Sequence, residues 1–321
     1  MAAVWTERGE RSNRMSLRFI VWVALRLGRR AARVLLVPIS LYFVLFAPAA
    51  RRASRSYLAR AFGRRPGIVE TYRHVFCFAS TILDRVFFLN GRIDLFEIAI
   101  HGETIAQEEL AHGQGTFLFG AHLGSFEVVR AIGHAVPGLR PTLVMYEENA
   151  RKVNGMLAAI NPELMQNIVP LGKIDSMLRV KHCLDRGDFV GMLCDRTLGD
   201  EAMRPVQLLG ATVKLPVGPF KMAAMLKRPV ILMVGLYRGG NRYEVHFERL
   251  ADFSEKNDAG SIAAAIERYA SRLDHFCRVA PYNWFNFFDL WDAGAEGTVA
   301  KPSAPPAAPS LPSPPPSGHR R

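Results

Sequence analysis

From residue 95 to residue 248 the chain alternates short apolar runs with stretches of helical period, and this alternation constrains its fold more than any other feature. The runs read LFEIAI (95–100), TFLFGA (116–121), TLVMY (142–146), NIVP (167–170), FVGMLC (189–194), VQLL (206–209), PVILMVGLY (229–237) and RYEVHFE (242–248). Helices are expected from about Ser125 to Ala135, from about Ala150, from Ile174 to Asp185, from about Val217 to Leu226 and from Ala259 to about Val279. Runs this short suit strands, and strands separated by helices must be joined by crossovers. The expectation is therefore an α/β fold, a mixed and mostly parallel sheet flanked by helices. Ahead of it, Pro66 to Asn90 has helical spacing, with proline at a first helical position and Asn90-Gly91 as the stop. No internal repeat is evident.

Charge divides the chain. Residues 1 to 65 hold 14 Arg, no Lys and only Glu7 and Glu10 as acids, while the remainder balances 27 basic against 27 acidic residues. The whole excess of +12 thus sits at one end, around apolar segments. A nucleic-acid enzyme would spread basic residues along a binding face, so the expected partner is an anionic membrane surface and no nucleic acid. Between Arg33 and Arg51 lie 17 uncharged residues, VLLVPISLYFVLFAPAA. As one helix they would reach ~25 Å, short of the ~30 Å hydrocarbon core, and Pro38 would bend it. A marginal span with snorkelling arginines and a pair of helices lying in one leaflet both fit. A buried core helix is the plainer alternative. A signal peptide cleaved near Ala47-Pro48-Ala49 would need a basic leader of more than 30 residues, far beyond the usual pattern.

Three regions follow: 1–65, basic N-terminal membrane-anchoring helices; 66–292, an α/β catalytic domain; and 293–321, a disordered Pro-rich tail. The cysteines at 77, 183, 194 and 277 form no C-x-x-C pair and no zinc spacing, so no metal and no cofactor is expected, and a reducing cytoplasm suits them.

In Gly115-Thr-Phe-Leu-Phe-Gly-Ala-His122-Leu-Gly124-Ser125-Phe-Glu127 a histidine follows a strand directly, and a glutamate stands in the first turn of the next helix. Positions i and i+5 of one helix point about 140° apart, but the two side chains can meet if His122 belongs to the loop and Gly124 lets the chain turn sharply. Glu127 would then fix the imidazole tautomer and leave the other nitrogen as a general base, near the positive end of the helix. Ser125 is read as a helix N-cap or first-turn residue, since Leu-Gly-Ser-Phe-Glu is not a nucleophile elbow. Cys194 reads as a packed thiol. Asp195 and Arg196, at the end of a strand, stand where open α/β sheets bind ligands, although a structural salt bridge serves equally well.

The His-x-x-x-x-Glu pattern in this setting resembles the lysophospholipid acyltransferase superfamily. Over residues 15 to 292 the chain is similar to the bacterial lipid A biosynthesis acyltransferases. The likeness extends through Phe189 to Arg196, an apolar strand ending in an Asp-Gln-like pair. It continues in Val206 to Gly210 and Leu215-Pro216-Val-Gly218-Pro219, a hairpin leading into a helix. Arg228-Pro229-Val230-Ile231 and Pro281-Tyr-Asn-Trp284 complete it. The resemblance implies transfer of a fatty acyl group from a thioester, acyl carrier protein or acyl-CoA, to a hydroxyl or amine on a lipid or glycolipid acceptor. It implies His122 and Glu127 as catalytic residues, and Gly124, Ser125, Asp195, Arg196 and Gly218 as substrate-binding. The site would work at the cytoplasmic face of a bacterial inner membrane. The family's Tyr-Arg is here Tyr146-Glu147, and its Asp-Gln is Asp195-Arg196, which leaves the acceptor lipid open. A non-catalytic lipid-binding protein and an esterase or thioesterase using the same pocket are the alternatives.

Overall fold

A computed structural model describes residues 10–135, 141–146, 168–171, 175–196, 201–288 and 290–291. The helix expected from about Ala150 and the Pro-rich tail lie outside the described residues. The chain opens with α1 (Glu10–Phe46), α2 (Pro48–Phe62) and α3 (Ile68–Leu89). A turn of 3-10 helix then leads into β1 (Glu97–His101), α4 (Glu103–His112), β2 (Thr116–Gly120), α5 (Phe126–Ala135), β3 (Pro141–Tyr146) and β4 (Ile168–Leu171). After these come α6 (Ser176–Asp185), β5 (Phe189–Leu193), β6 (Met203–Leu208), β7 (Ala211–Pro216), α7 (Gly218–Met225), β8 (Pro229–Tyr237), β9 (Arg242–Asp252) and α8 (Ala259–Val279).

Seven strands form one sheet in the order β1-β9-β8-β2-β5-β3-β4. Every neighbouring pair is parallel except β8 with β9, which a short connection joins as an antiparallel pair. This is the mixed, mostly parallel sheet the alternation implies. β6 and β7 stand apart as a hairpin, turned at Leu209 and Gly210, whose φ values of 49° and 78° are the positive pair that a two-residue turn requires.

The sheet is covered on both faces, so its central strands are apolar throughout. On one face Phe117, Phe119, Val190, Leu232 and Val234 meet Phe220 of α7 and Ile266, Tyr269 and Phe276 of α8, together with Tyr57 and Leu58 of α2. On the other, Leu118, Phe189, Ile231 and Val245 meet Val128 of α5, residues of α3 and the first helix. β2 is buried along its whole length. α4 escapes the sequence reading because its ten residues are short and polar; Gly102 and Gly113, both left-handed, bracket it.

The N-terminal helices bend at places other than Pro38. α1 is interrupted at Gly28, with φ 83° and ψ 168°, whereas Pro38 lies within its second half. The uncharged run then breaks at Ala47-Pro48, where Pro48 opens α2 and the helix axes turn by 94°. Among the described residues no single helix is long and apolar enough to cross a membrane, although the bent pair Val21–Phe46 with Pro48–Phe62 meets that test jointly.

The break at Gly28 sets Arg29 against the body. Its guanidinium donates to both oxygens of Asp84 at 2.7 Å, and the Tyr243 hydroxyl adds a third bond to that carboxylate at 2.8 Å. Arg33 donates to the Tyr237 hydroxyl at 2.6 Å. Asp84 is wholly buried, so the N-terminal helices are tied into the α/β body by a charge pair as well as by apolar packing. Burial pushes the Asp84 carboxyl upward, and Arg29 holds it back.

Candidate active site

β2 and β5 are parallel neighbours with Gly120 paired to Leu193. Two residues further along each chain stand His122 and Asp195, so the register alone brings them side by side at the carboxyl edge of the sheet. Asp195 is fully buried. Its Oδ1 lies 2.8 Å from His122 Nδ1, and its Oδ2 accepts from the His122 backbone N–H at 3.1 Å and from the Trp284 indole at 3.1 Å. Burial by itself would raise this carboxyl's pKa. The His122 charge and hydrogen bonds, the nearby Arg196 and the Trp284 indole outweigh it and hold the group well below the usual carboxylate range. An ionised Asp195 requires a proton on Nδ1, so whenever the imidazole is neutral Nε2 is its acceptor. That nitrogen has no protein partner among the described residues, and the side chain is 37% exposed.

The sequence expectation for Glu127 does not hold geometrically. Its carboxylate accepts from Arg130 Nε at 2.8 Å and sits 3.5 Å from Arg85 Nε of α3, buried among them. The reason is the direction of α5: a residue in its first turn can point back onto α3, and two guanidiniums there outcompete one imidazole.

Gly124 turns the chain as expected. Its φ is +72°, and a Cβ there would come within 2.0 Å of the Gly235 carbonyl oxygen. Ser125 directly precedes α5 and donates its backbone N–H to that same carbonyl at 2.7 Å. Gly218 opens α7; a Cβ on it would come within 3.0 Å of the Glu201 carboxylate, and no hydrogen bond joins it to His122 or Asp195. Arg196 lies 4.0 Å from Asp195, donates to the Phe285 carbonyl at 3.2 Å and stacks over Phe288. Its side chain remains 29% exposed beside His122's partner. Cys194 is buried, and burial pushes its thiol well up, as for a packed thiol.

The segment 283–285 is a part of the site that residue chemistry alone did not reveal. Leu123 pairs with Trp284 in an antiparallel bridge. Phe285 N–H donates to the His122 carbonyl at 2.7 Å, and Gly124 N–H to the Asn283 carbonyl at 2.8 Å. Asn283 in turn grips the Tyr237 backbone through both side-chain atoms, at 2.7 and 3.1 Å. The histidine loop is thus clamped between the end of β8 and this segment. Behind it, buried His74 joins Trp284's carbonyl (2.9 Å) to Ser54 of α2 (2.8 Å). The Pro-x-x-Trp pattern at 281–284 was the available signal, although a motif does not say what its tryptophan touches.

The arrangement is an imidazole with one nitrogen anchored to a buried carboxylate and the other open to solvent. It can take a proton from a hydroxyl or amine and return it to a leaving group. The family model of bacterial lipid A biosynthesis acyltransferases matches residues 11–292. The crystal structure of the 1-acyl-sn-glycerophosphate (LPA) acyltransferase PlsC from Thermotoga maritima is similar over 77% of this chain and 96% of that one, at 14% identity and a TM-score of 0.39. No curated protein matches the chain.

Proposed function

The chain belongs to the bacterial lipid A biosynthesis acyltransferase family, and we propose that it moves a fatty acyl group from an acyl thioester, carried on acyl carrier protein or coenzyme A, to a hydroxyl or amine of a lipid or glycolipid acceptor. The observation that supports this most is the His122–Asp195 pair, with Nδ1 held and Nε2 open. In the proposed step Nε2 takes the acceptor's proton as its oxygen or nitrogen attacks the thioester carbonyl. The C–S bond of the resulting tetrahedral intermediate then breaks, and the imidazolium returns the proton to the leaving thiolate. Asp195 stabilises the imidazolium between these events, and Trp284 holds Asp195 in position. A thioester is already activated, so no covalent enzyme intermediate is needed. Arg196 offers a positive group beside the base for an anionic part of either substrate.

Membrane attachment belongs to the same reading. The second half of α1 leaves Leu41, Tyr42, Phe43, Leu45 and Phe46 exposed, next to Arg51, Arg52 and Arg55. A sharp elbow with aromatic residues on the outside and arginines behind it suits one leaflet better than a span. We place the body on the cytoplasmic face of a bacterial inner membrane, where acyl thioesters are made.

Product analysis by mass spectrometry tests the reaction. Purified enzyme is given an acyl thioester with and without a panel of lipid acceptors. We expect an acylated lipid and free thiol that appear only when acceptor is present. Free fatty acid as the sole product would make it a thioesterase, and no turnover with any acceptor would make it a lipid-binding protein.

A further inference from the structure

The outer edge of the sheet holds a second cluster of polar side chains. His101 ends β1, and the parallel register sets it opposite His246 of β9. Glu244 stands two residues before His246 and so on the same side of β9. β8 separates this strand from β2, so the cluster is distinct from the His122 site.

Three features of the cluster go together. First, Nε2 of His246 is buried and has no hydrogen-bond partner among the described residues. A buried orphan of this kind is costly unless something satisfies it. Second, Glu244 Oε2 lies 3.7 Å from that nitrogen, too far for a hydrogen bond. Two ligands of one tetrahedral ion with bonds of ~2.0–2.1 Å sit about 3.4 Å apart, close to the observed gap. Third, Arg238 holds the other oxygen, Oε1, at 3.1 Å, which aims Oε2 at His246 as an outer partner orients a metal-bound carboxylate. The His101 ring stacks on His246 with centroids 4.6 Å apart, and donor atoms of all three residues lie within 4.8 Å of one another. His101 is exposed, so its ring is not walled in by the core.

We propose that His101, Glu244 and His246 form a site for a divalent transition metal, zinc foremost, with a fourth position open to solvent at the sheet edge. Two imidazoles and a carboxylate are a donor set suited to Zn2+ rather than to Mg2+ or Ca2+. The ion would cross-link the edge strand β1 to β9, a stabilising role that does not depend on acyl transfer. Cysteine spacing gives no hint of it, because the donors come from neighbouring strands far apart in sequence.

Full-length untagged protein in detergent, titrated with Co2+ and then Zn2+, is the test. One equivalent of Co2+ should give the visible absorption of a four- or five-coordinate ion, and Zn2+ should displace it and raise the melting temperature. Glu244→Gln and the exposed His101→Gln should each weaken binding by more than the roughly 10–100-fold that losing an outer partner costs. His112→Gln, at an exposed histidine elsewhere, should bind as the parent does. No saturable absorption in the parent, or unchanged binding in His101→Gln and Glu244→Gln, would overturn the proposal, as would loss of the site in His112→Gln.

Discussion

His122 and Asp195 are 73 residues apart in sequence and become partners because each follows the end of a strand by the same count and the two strands are neighbours. His122 as a candidate base just past a strand was legible from residue types. Asp195 was legible only as a group at the ligand-binding edge, since nothing in a sequence says that β5 rather than β3 lies beside β2. Glu127 misled because its spacing fits the family pattern, while the two arginines that engage it lie on a different helix or one turn onward. The two carboxylates therefore differ in what they do. Asp195→Asn should cut kcat by about 10²–10⁴-fold in a folded enzyme, because an amide supports the imidazolium poorly. Glu127→Gln should mainly lower the melting temperature, since weakening a buried ion pair destabilises by up to ~3–5 kcal/mol, and should leave kcat per folded molecule within about tenfold. Thermal melts beside single-turnover rates separate these effects, and the reverse pattern would reassign the partner.

The strand–helix alternation was readable at the level of elements because every crossover helix needs an apolar face and every buried strand an apolar run. α3 was expected at 66–90 and runs from Ile68 to Leu89, with Glu70 completing its cap by accepting from Gly67 N–H at 2.8 Å. The elbow of the N-terminal helices was not readable, since the chain bends at Gly28 and Ala47-Pro48 according to what the body offers Arg29 and Tyr57. His74 provides a pH-dependent test of how α2 and α3 hold Trp284. Burial lowers its pKa to about 4, against an unfolded value near 6.5. A group depressed in the folded state contributes stability above its unfolded pKa. That stability drains as pH falls from about 6.5 to about 4, by up to roughly 3 kcal/mol. Denaturant melts across this range should show the loss, and His74→Gln should flatten it. An equally steep profile in the variant would remove His74 as its cause.

For the molecule as a whole, the proposed anchor and the proposed site share one structure. Removing residues 1–65 would strip Arg29 from buried Asp84, so a truncated chain would report on folding rather than on membrane affinity. Substitution on the exposed elbow is the cleaner probe. Phe43→Ser with Phe46→Ser, at side chains 52% and 68% exposed, should weaken binding to anionic vesicles by about tenfold or more while the melting temperature holds. Added salt should weaken parental binding only in part, because the apolar contribution is unscreened. Vesicle sedimentation reads both, and unchanged binding would move the anchor elsewhere. The central claim, that His122 is the base for acyl transfer, is tested most directly by following acyl transfer to lipid in purified His122→Ala that melts like the parent. We expect the acylated product to fall by at least about 10²–10⁴-fold. Turnover within a few-fold of the parent in that folded variant would contradict the mechanism.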